Sequence, residues 1–282
     1  MKSKIQAYCQ LTRLDKPVGT MLLLWPTMWA LWLTGIPTPH LFIVFTLGVI
    51  IMRAAGCVIN DFADRKLDGH VMRTKNRPLA SGKLNNKNAL IMFVVLIAIS
   101  FALLLTLPPL TWLIAIFAFG TTLLYPFMKR YTHLPQIILG IAFSWSIPMV
   151  YAATLAKFPL TCWLLFIANI CWTIAYDTEY AMVDREDDIK IGIKSTAILF
   201  GKYDKLIIGI LQISTVWILM VIGILNQLSG YFYVSLVIAS LLFIYQQVIL
   251  VDRKRERCFR AFINNQYVGL VIFIGILLHI IQ

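Results

Sequence analysis

Apolar residues run along the chain in stretches that short polar segments interrupt from one end to the other. Each stretch has the ~17–25 residues that a helix needs to cross the ~30 Å hydrocarbon core of a bilayer. No segment is rich enough in Gly and Ser to separate two domains, so we expect a single membrane domain over residues 1–282. The pattern predicts an all-α bundle of about nine transmembrane helices, near 18–36, 40–59, 88–107, 110–126, 134–155, 160–177, 203–225, 230–251 and 262–281.

Composition agrees with this pattern. Hydrophobic residues make up 60% of the chain, charged residues only 13%, and the mean hydropathy is +0.79. An ordinary soluble domain carries about twice that share of charge, so this class of protein is excluded.

The net charge of +12 is distributed unevenly. All but two of the 25 Lys and Arg residues lie on one side of the predicted bundle, the exceptions being Arg53 and Lys157. Such a bias predicts that the amino terminus and the long loops face the cytoplasm. The basic charge is then a topology signal with a surplus for an anionic ligand, and nucleic acid is not expected as a partner. The basic segments are residues 1–17, 61–87, 127–133, 178–202 and 252–261.

Two acidic clusters follow even-numbered spans. The first, "NDFADRKLD" at 60–68, would place Asn60, Asp64 and Asp68 on one face of a helix, with Asp61 pointing elsewhere. Like charges at this spacing destabilise a helix unless a cation lies between them. Taken alone, the cluster could also be a solvated loop whose acids pair with nearby basic side chains.

The second cluster, "DREDD" at 184–188, repeats the Asp-Arg-x-x-Asp pattern. Asp184 and Asp188 share a helix face that Asp177 could also join. Hard oxygen ligands from two facing clusters suit Mg²⁺, which prefers one or two carboxylates together with substrate phosphates. We therefore expect a Mg²⁺ site on Asn60, Asp64, Asp68, Asp184 and Asp188, with the four aspartates as catalytic residues.

Basic side chains surround both clusters. Arg73, Lys75 and Arg77 follow the first, Lys190 and Lys194 follow the second, and Lys129 and Arg130 close the fourth span. Each alone could be a positive-inside charge, but beside metal-binding carboxylates they indicate a diphosphate site.

Arg53 lies within the second span, seven residues before Asn60 and about 10 Å deeper on the same helical face. An arginine at this depth is costly unless it faces a partner or an interior cavity. A structural salt bridge is the plain alternative, but no acid in the middle of a span or in the loops of the opposite side is available for it, so a bound anion is the sharper hypothesis. Arg13 and Lys16 precede the first span and could reach the same cavity from its rim.

The segments "NDFADRKLDGHVMRTKNRPLASG", "YDTEYAMVDREDDIKIGIKSTAILFG" and "RLDKPVGTMLLLWP" resemble the UbiA superfamily of membrane prenyltransferases. The resemblance implies a nine-helix bundle around a central cavity, capped by cytoplasmic loops. It implies Mg²⁺ on the two aspartate motifs, and association of Arg77, Tyr125 and Lys129 with the diphosphate of a polyprenyl donor. It also implies that Arg53 holds the carboxylate of an aromatic acid.

The implied activity is transfer of a polyprenyl group from polyprenyl diphosphate to 4-hydroxybenzoate, ortho to the hydroxyl, in ubiquinone biosynthesis. Another acceptor, such as homogentisate, a naphthoate, haem or a chlorophyll precursor, is the near alternative. A divalent-cation transporter is the alternative of a different class, but its acids would be expected near the midplane. The lipid bilayer is an expected partner, and no obligate protein partner is inferred.

Overall fold

The computed structural model describes residues 2–282, with side chains described from residue 4 onward, and within that range it contains helices and no strands. Met1, part of the expected domain 1–282, lies outside the described residues. The helices are α1 Lys2–Leu11, α2 Val18–Leu33, α3 Pro39–Asp64, α4 Asn86–Leu104, α5 Pro109–Tyr131, α6 Pro135–Ser144, α7 Ser146–Leu155, α8 Leu160–Ile191, α9 Thr196–Phe200, α10 Asp204–Leu225, α11 Gly230–Ile249 and α12 Arg255–Ile281.

The predicted membrane architecture is confirmed. Eight helical segments are long and apolar enough to cross a membrane, and they correspond to eight of the nine predicted spans. The remaining span, predicted at 18–36, corresponds to the shorter apolar helix α2. Helices α6 and α7 form one of these segments, Pro135–Leu155, which is interrupted at Trp145. The chain is therefore a multi-pass membrane protein.

Helices on the motif side extend beyond the apolar runs from which they were predicted. Helix α3 continues to Asp64 rather than 59, α5 to Tyr131 rather than 126, and α8 to Ile191 rather than 177. The polar extensions remain helical because their charged side chains pair across helices, as Lys129 does with Asp64. With 32 residues, α8 is about 48 Å long and projects well past the ~30 Å apolar layer.

Helices α2, α8 and α12 pack closely around a fully buried aromatic pair. Trp29 stacks on Trp172 with ring centroids 5.2 Å apart, and the Trp29 indole N–H donates to the Gly269 carbonyl at 3.0 Å. A Cβ at Gly269 would lie 2.3 Å from the Trp25 ring, so glycine is what allows α12 to approach α2. This contact fixes one wall of the interior.

Helices α4 and α5 lie at the opposite wall and bury few side chains. Ala89 is the one buried residue of α4, and α5 buries Thr111, Ile114 and Pro126. Their remaining apolar side chains face either the surrounding lipid or a large internal cavity.

Candidate active site

The cavity between these walls has a volume of about 1370 Å³ and is mostly apolar. At one end it meets a smaller, more polar pocket of about 130 Å³. Six side chains line both spaces, so the polar pocket and the apolar cavity adjoin: Asn60, Arg73, Arg77, Tyr125, Asp177 and Tyr180.

Both acidic clusters meet in the smaller pocket. Asn60, Asp64 and Asp68 line it from one side, and Asp184 and Asp188 line it from the other. The predicted shared face of Asp184 and Asp188 on α8 is therefore found, and both side chains are largely buried.

The first cluster is not a single helix. Helix α3 ends at Asp64, and Asp68 begins a short 3₁₀ turn, so the expected stacking of Asp68 on a continuous helix is wrong. Asp68 still reaches the pocket because Arg77 bridges the turn to α3. Arg77 Nη1 lies 3.0 Å from an oxygen of Asp61 and 3.0 Å from an oxygen of Asp68. Asp61 points away from the smaller pocket, as expected, and lines the larger cavity.

Cations neutralise these carboxylates. Lys129 pairs with Asp64, which is fully buried, and Arg77 pairs with Asp68. Burial raises the pKa of Asp68 above its usual range even though Arg77 opposes the effect. The pocket thus holds an alternating array of acids and bases at low exposure.

Tyr180 is a functional candidate that the sequence analysis did not name, and it lies beside Arg73, one of the basic side chains that the sequence analysis did name. Arg73 Nε lies 3.0 Å from both Asp184 oxygens, and its guanidinium also donates to the Tyr180 hydroxyl and lies 4.4 Å from that ring. Burial by itself lowers the pKa of the Arg73 guanidinium, but Tyr180 and Asp184 more than offset this effect and raise the pKa above its ordinary value. Tyr180 lies four residues before Asp184, on the same face of α8.

The expected diphosphate-binding residues separate into two groups. Arg77, Tyr125, Lys129 and Lys194 line the smaller pocket, whereas Arg130 does not. Arg130 instead donates to the Ala63 carbonyl at 2.7 Å near the end of α3 and lies 3.8 Å from Asp64. The exposed Lys75 and Lys190 also lie outside the lining.

Arg53 projects into the larger cavity from α3. Among the described residues no carboxylate lies within ion-pair distance of it, and its buried Nε has no hydrogen-bond partner. The guanidinium lies 5.6 Å from the Phe143 ring centroid. A Cβ at Gly19 would lie 2.4 Å from Arg53 Nη2, so the bare backbone of α2 makes room for this side chain.

Arg13 and Lys16, the two cations at the cavity rim, differ in whether a carboxylate pairs with them. Arg13 forms a bidentate ion pair with Asp61 at 2.7 and 2.9 Å, in a left-handed backbone conformation at φ 58°. Lys16 is exposed and lines the cavity mouth. Arg13 is therefore occupied by Asp61, which leaves Arg53 and Lys16 as the more available cations.

The oxygen ligands fit Mg²⁺. Asp64 Oδ1 is buried without a hydrogen-bond partner, and Asp188 faces the pocket without an ion pair anywhere in residues 4–282. In the part of the chain described, no three acidic, His or Cys side chains converge into an all-protein metal cage. Small groups of carboxylates beside an anion site are what Mg²⁺ requires when substrate phosphates complete its coordination.

Comparison with known proteins agrees with the sequence motifs. The model of the UbiA prenyltransferase family matches residues 23–274. A 4-hydroxybenzoate octaprenyltransferase of Edwardsiella ictaluri (strain 93-146) is 60% identical over 98% of this chain and 97% of its own length. A protein of the same description from Yersinia pseudotuberculosis serotype O:3 (strain YPIII) is 59% identical over 98% of this chain and 96% of its own.

Solved structures share the fold. The apo structure of a UbiA homolog from Aeropyrum pernix K1 superposes with a TM-score of 0.82 at 25% identity, covering 92% of this chain and 97% of the other. A UbiA homolog from Archaeoglobus fulgidus bound to GPP and Mg²⁺ superposes with a TM-score of 0.70 at 16% identity, covering 98% and 100%.

Proposed function

Since the chain belongs to the UbiA prenyltransferase family, we propose that it transfers a polyprenyl group from polyprenyl diphosphate to 4-hydroxybenzoate. The product is 3-polyprenyl-4-hydroxybenzoate, an intermediate of ubiquinone biosynthesis. The names of the close relatives favour an octaprenyl donor, a chain length that the motifs alone do not fix.

One observation carries the proposal. Two acidic clusters and their cations line a polar pocket that adjoins a mostly apolar cavity. A polyprenyl diphosphate has the same two parts, a highly charged head and a hydrocarbon tail. The pocket suits the head, and the cavity suits the first isoprene units and the aromatic acceptor.

The chain's own residues would activate the leaving group. Arg77, Lys129 and Arg73 surround the pocket and offer fixed positive charge where negative charge develops on the departing diphosphate. Tyr125, which also lines the pocket, adds a hydroxyl donor. Mg²⁺ held by Asn60, Asp64, Asp68, Asp184 and Asp188 would supply Lewis-acid stabilisation of the same charge.

The acceptor would bind deeper. Arg53 lies about 10 Å below Asn60, the distance spanned by seven helical residues. A carboxylate on Arg53 would direct the opposite, hydroxyl-bearing end of the benzoate ring towards the polar pocket. In this orientation, the ring carbon ortho to the hydroxyl lies near the allylic carbon from which the diphosphate departs. The apolar cavity would keep bulk water away from the reacting carbons.

A divalent-cation transporter fits the site less well. The acids cluster at one end of the bundle, and the charged residue deeper in the cavity is a cation, Arg53. A permeating divalent cation would be repelled at that point. A UbiA-type enzyme with a different acceptor remains the nearer alternative, and the 60% identity to a 4-hydroxybenzoate enzyme favours the benzoate.

The orientation in the membrane is also part of the proposal. The positive-inside bias supports an amino terminus and motif loops on the cytoplasmic side of the bacterial inner membrane. Water-soluble 4-hydroxybenzoate would then enter from the cytoplasm.

The test is a reconstitution. Purified protein in liposomes with octaprenyl diphosphate, 4-hydroxybenzoate and Mg²⁺ is expected to yield a C-prenylated acid, identified by mass spectrometry and by loss of one ring hydrogen in the NMR spectrum. Turnover with homogentisate or a naphthoate but not with 4-hydroxybenzoate would contradict the acceptor assignment.

A further inference from the structure

Besides the motif aspartates, helix α8 carries two buried acids, and they differ in how they are satisfied. Glu179 is fully buried and accepts from the side-chain amides of Asn265 at 2.9 Å and Gln212 at 3.4 Å. Asp177 is about as inaccessible, with 9% exposed, yet no described side chain donates a hydrogen bond to it or pairs with it. An ionisable side chain buried in a membrane protein without a partner indicates a functional site.

The position of Asp177 distinguishes it from the metal-binding aspartates. It is one of the six residues that line both the polar pocket and the apolar cavity, so it lies where the two spaces join. The metal-binding aspartates of the motifs line the polar pocket but not the larger cavity. In the proposed reaction, this junction is where the allylic carbon meets the aromatic ring.

The reaction needs a proton acceptor at that junction. When the allylic carbon bonds to the ring, the attacked carbon still carries its hydrogen and the ring has lost its aromaticity. We propose that the Asp177 carboxylate takes this hydrogen as a proton, and the C–H electron pair then restores the aromatic ring. The diphosphate has already left with the electron pair of the C–O bond, so atoms and charge balance without a further reactant. This inference rests on the proposed function.

Three of the four motif carboxylates that could compete for the proton are occupied, and the fourth, Asp188, lines the polar pocket but not the larger cavity. Asp64 is paired with Lys129, Asp68 with Arg77 and Asp184 with Arg73. Two further aspartates line the larger cavity: Asp61 is paired with Arg13 and Arg77, and Asp15 is exposed beside Lys16. A carboxylate in an ion pair is a weaker base, whereas Asp177 has no such pair among the residues described here.

The test uses the isotope effect of the ring hydrogen. Asp177→Asn keeps the shape of the side chain but removes the base, so kcat is expected to fall by about 10²-fold, the usual contribution of general-base catalysis. Deprotonation then limits the rate. With 4-hydroxybenzoate deuterated at both positions ortho to the hydroxyl, the variant is expected to show a primary isotope effect larger than that of the unsubstituted enzyme.

Glu179→Gln is the matched control. It neutralises a buried acid on the same helix two residues away, in a position that faces the amide network, and should leave both kcat and the isotope effect unchanged. Asp177→Glu retains a carboxylate and is expected to recover part of the activity. Asp177→Ser repeats the comparison with a smaller neutral side chain if the Asn variant does not fold.

Two outcomes would overturn the proposal. One is wild-type turnover in the Asn or Ser variant. The other is slow turnover with no increase in the isotope effect, which would place Asp177 at the ionisation step or in substrate binding. If the unsubstituted protein itself fails to prenylate 4-hydroxybenzoate, the proposed function is at fault rather than the role of Asp177.

Discussion

Arg53 is a buried guanidinium without an acidic partner in the described chain, and a ligand carboxylate would satisfy it. Losing one member of a desolvated charge pair costs about 2–5 kcal/mol. We therefore expect Arg53→Ala to raise KM for 4-hydroxybenzoate by about 30-fold or more, with little change in KM for polyprenyl diphosphate. Arg53→Lys should recover only part of the loss, because an ammonium lacks the planar bidentate fork.

Separate titration of the two substrates against folded variants decides this assignment. A purely structural arginine would lower thermal stability and weaken both substrates together. If only the diphosphate is weakened, the carboxylate is held elsewhere, and Lys16 at the cavity mouth is the next candidate.

Asp64 and Asp184 represent the two clusters from opposite sides of the polar pocket. Asp64→Ala and Asp184→Ala are each expected to reduce kcat about 10²-fold or more, a loss comparable to that of other electrostatic stabilisers of a transition state. Binding of 4-hydroxybenzoate should persist in both variants, measured by equilibrium dialysis. Near wild-type turnover in either variant would show that its cluster is only a solvated surface feature.

At the scale of elements, the extension of α8 beyond the membrane depends on a charged clamp. Arg185 lies next to Asp184 but turns outward to Asp204, at the start of α10, with 2.5 Å between Nη2 and Oδ2. Arg253, before α12, binds the same carboxylate through Nε at 3.0 Å and Nη2 at 2.8 Å. The clamp joins α8, the start of α10 and the loop before α12 around the fully buried Asp204, and it holds the second motif over the pocket.

Asp204→Asn is expected to destabilise the protein by about 2 kcal/mol, because the fully buried carboxylate loses its charge-assisted hydrogen bonds to the partly exposed Arg185 and Arg253. The measurement is the thermal unfolding midpoint of detergent-solubilised protein. Asp252→Asn is the control, since Asp252 forms partly exposed ion pairs with Arg257 and Lys254 in the same loop and should change stability by less than about 1 kcal/mol. Equal effects from the two substitutions would contradict the clamp.

The sequence predicted the elements better than their ends. Apolar length located every crossing, but it could not show that α8 continues to Ile191, because that extension is stabilised by Asp184, Arg185 and Asp187 pairing with residues more than 15 positions away. The same limit explains Asp68. Asp68 follows Asp64 by four residues, which is the spacing of one helix face. Helix α3 nevertheless ends at Asp64, and an ion pair with Arg77 holds Asp68 in a separate turn.

A charge in an unusual place can be singled out from sequence as a candidate site residue, as Arg53 was. Tyr180 could not, because Tyr and Phe are abundant throughout this chain and its role depends on the approach of Arg73 from a distant loop. Asp177 could be placed on the face of Asp184 by spacing. Its lack of a partner emerges only when every neighbouring helix is in position.

At the scale of the whole molecule, the metal requirement tests the joint use of both clusters. EDTA is expected to abolish turnover, and Mg²⁺ or Mn²⁺ to restore it, since the facing ligands are hard oxygens. Binding of a polyprenyl diphosphate should weaken in parallel, measured by fluorescence quenching of the tryptophans. Full turnover of EDTA-treated, dialysed liposomes would contradict the metal assignment.

The wall formed by α4 and α5 has a kinetic consequence. Because these helices bury so few residues, the apolar cavity is bounded on that side by a thin layer that borders lipid, whereas the polar pocket lies at the end of the bundle. The two proposed substrates would therefore arrive from different phases. The concentration of 4-hydroxybenzoate is its molarity in water, whereas that of the polyprenyl diphosphate is its mole fraction in the membrane. Expanding the membrane at a fixed amount of donor dilutes that substrate in two dimensions, so the enzyme responds to the composition of the bilayer as well as to the concentration of the aromatic acid.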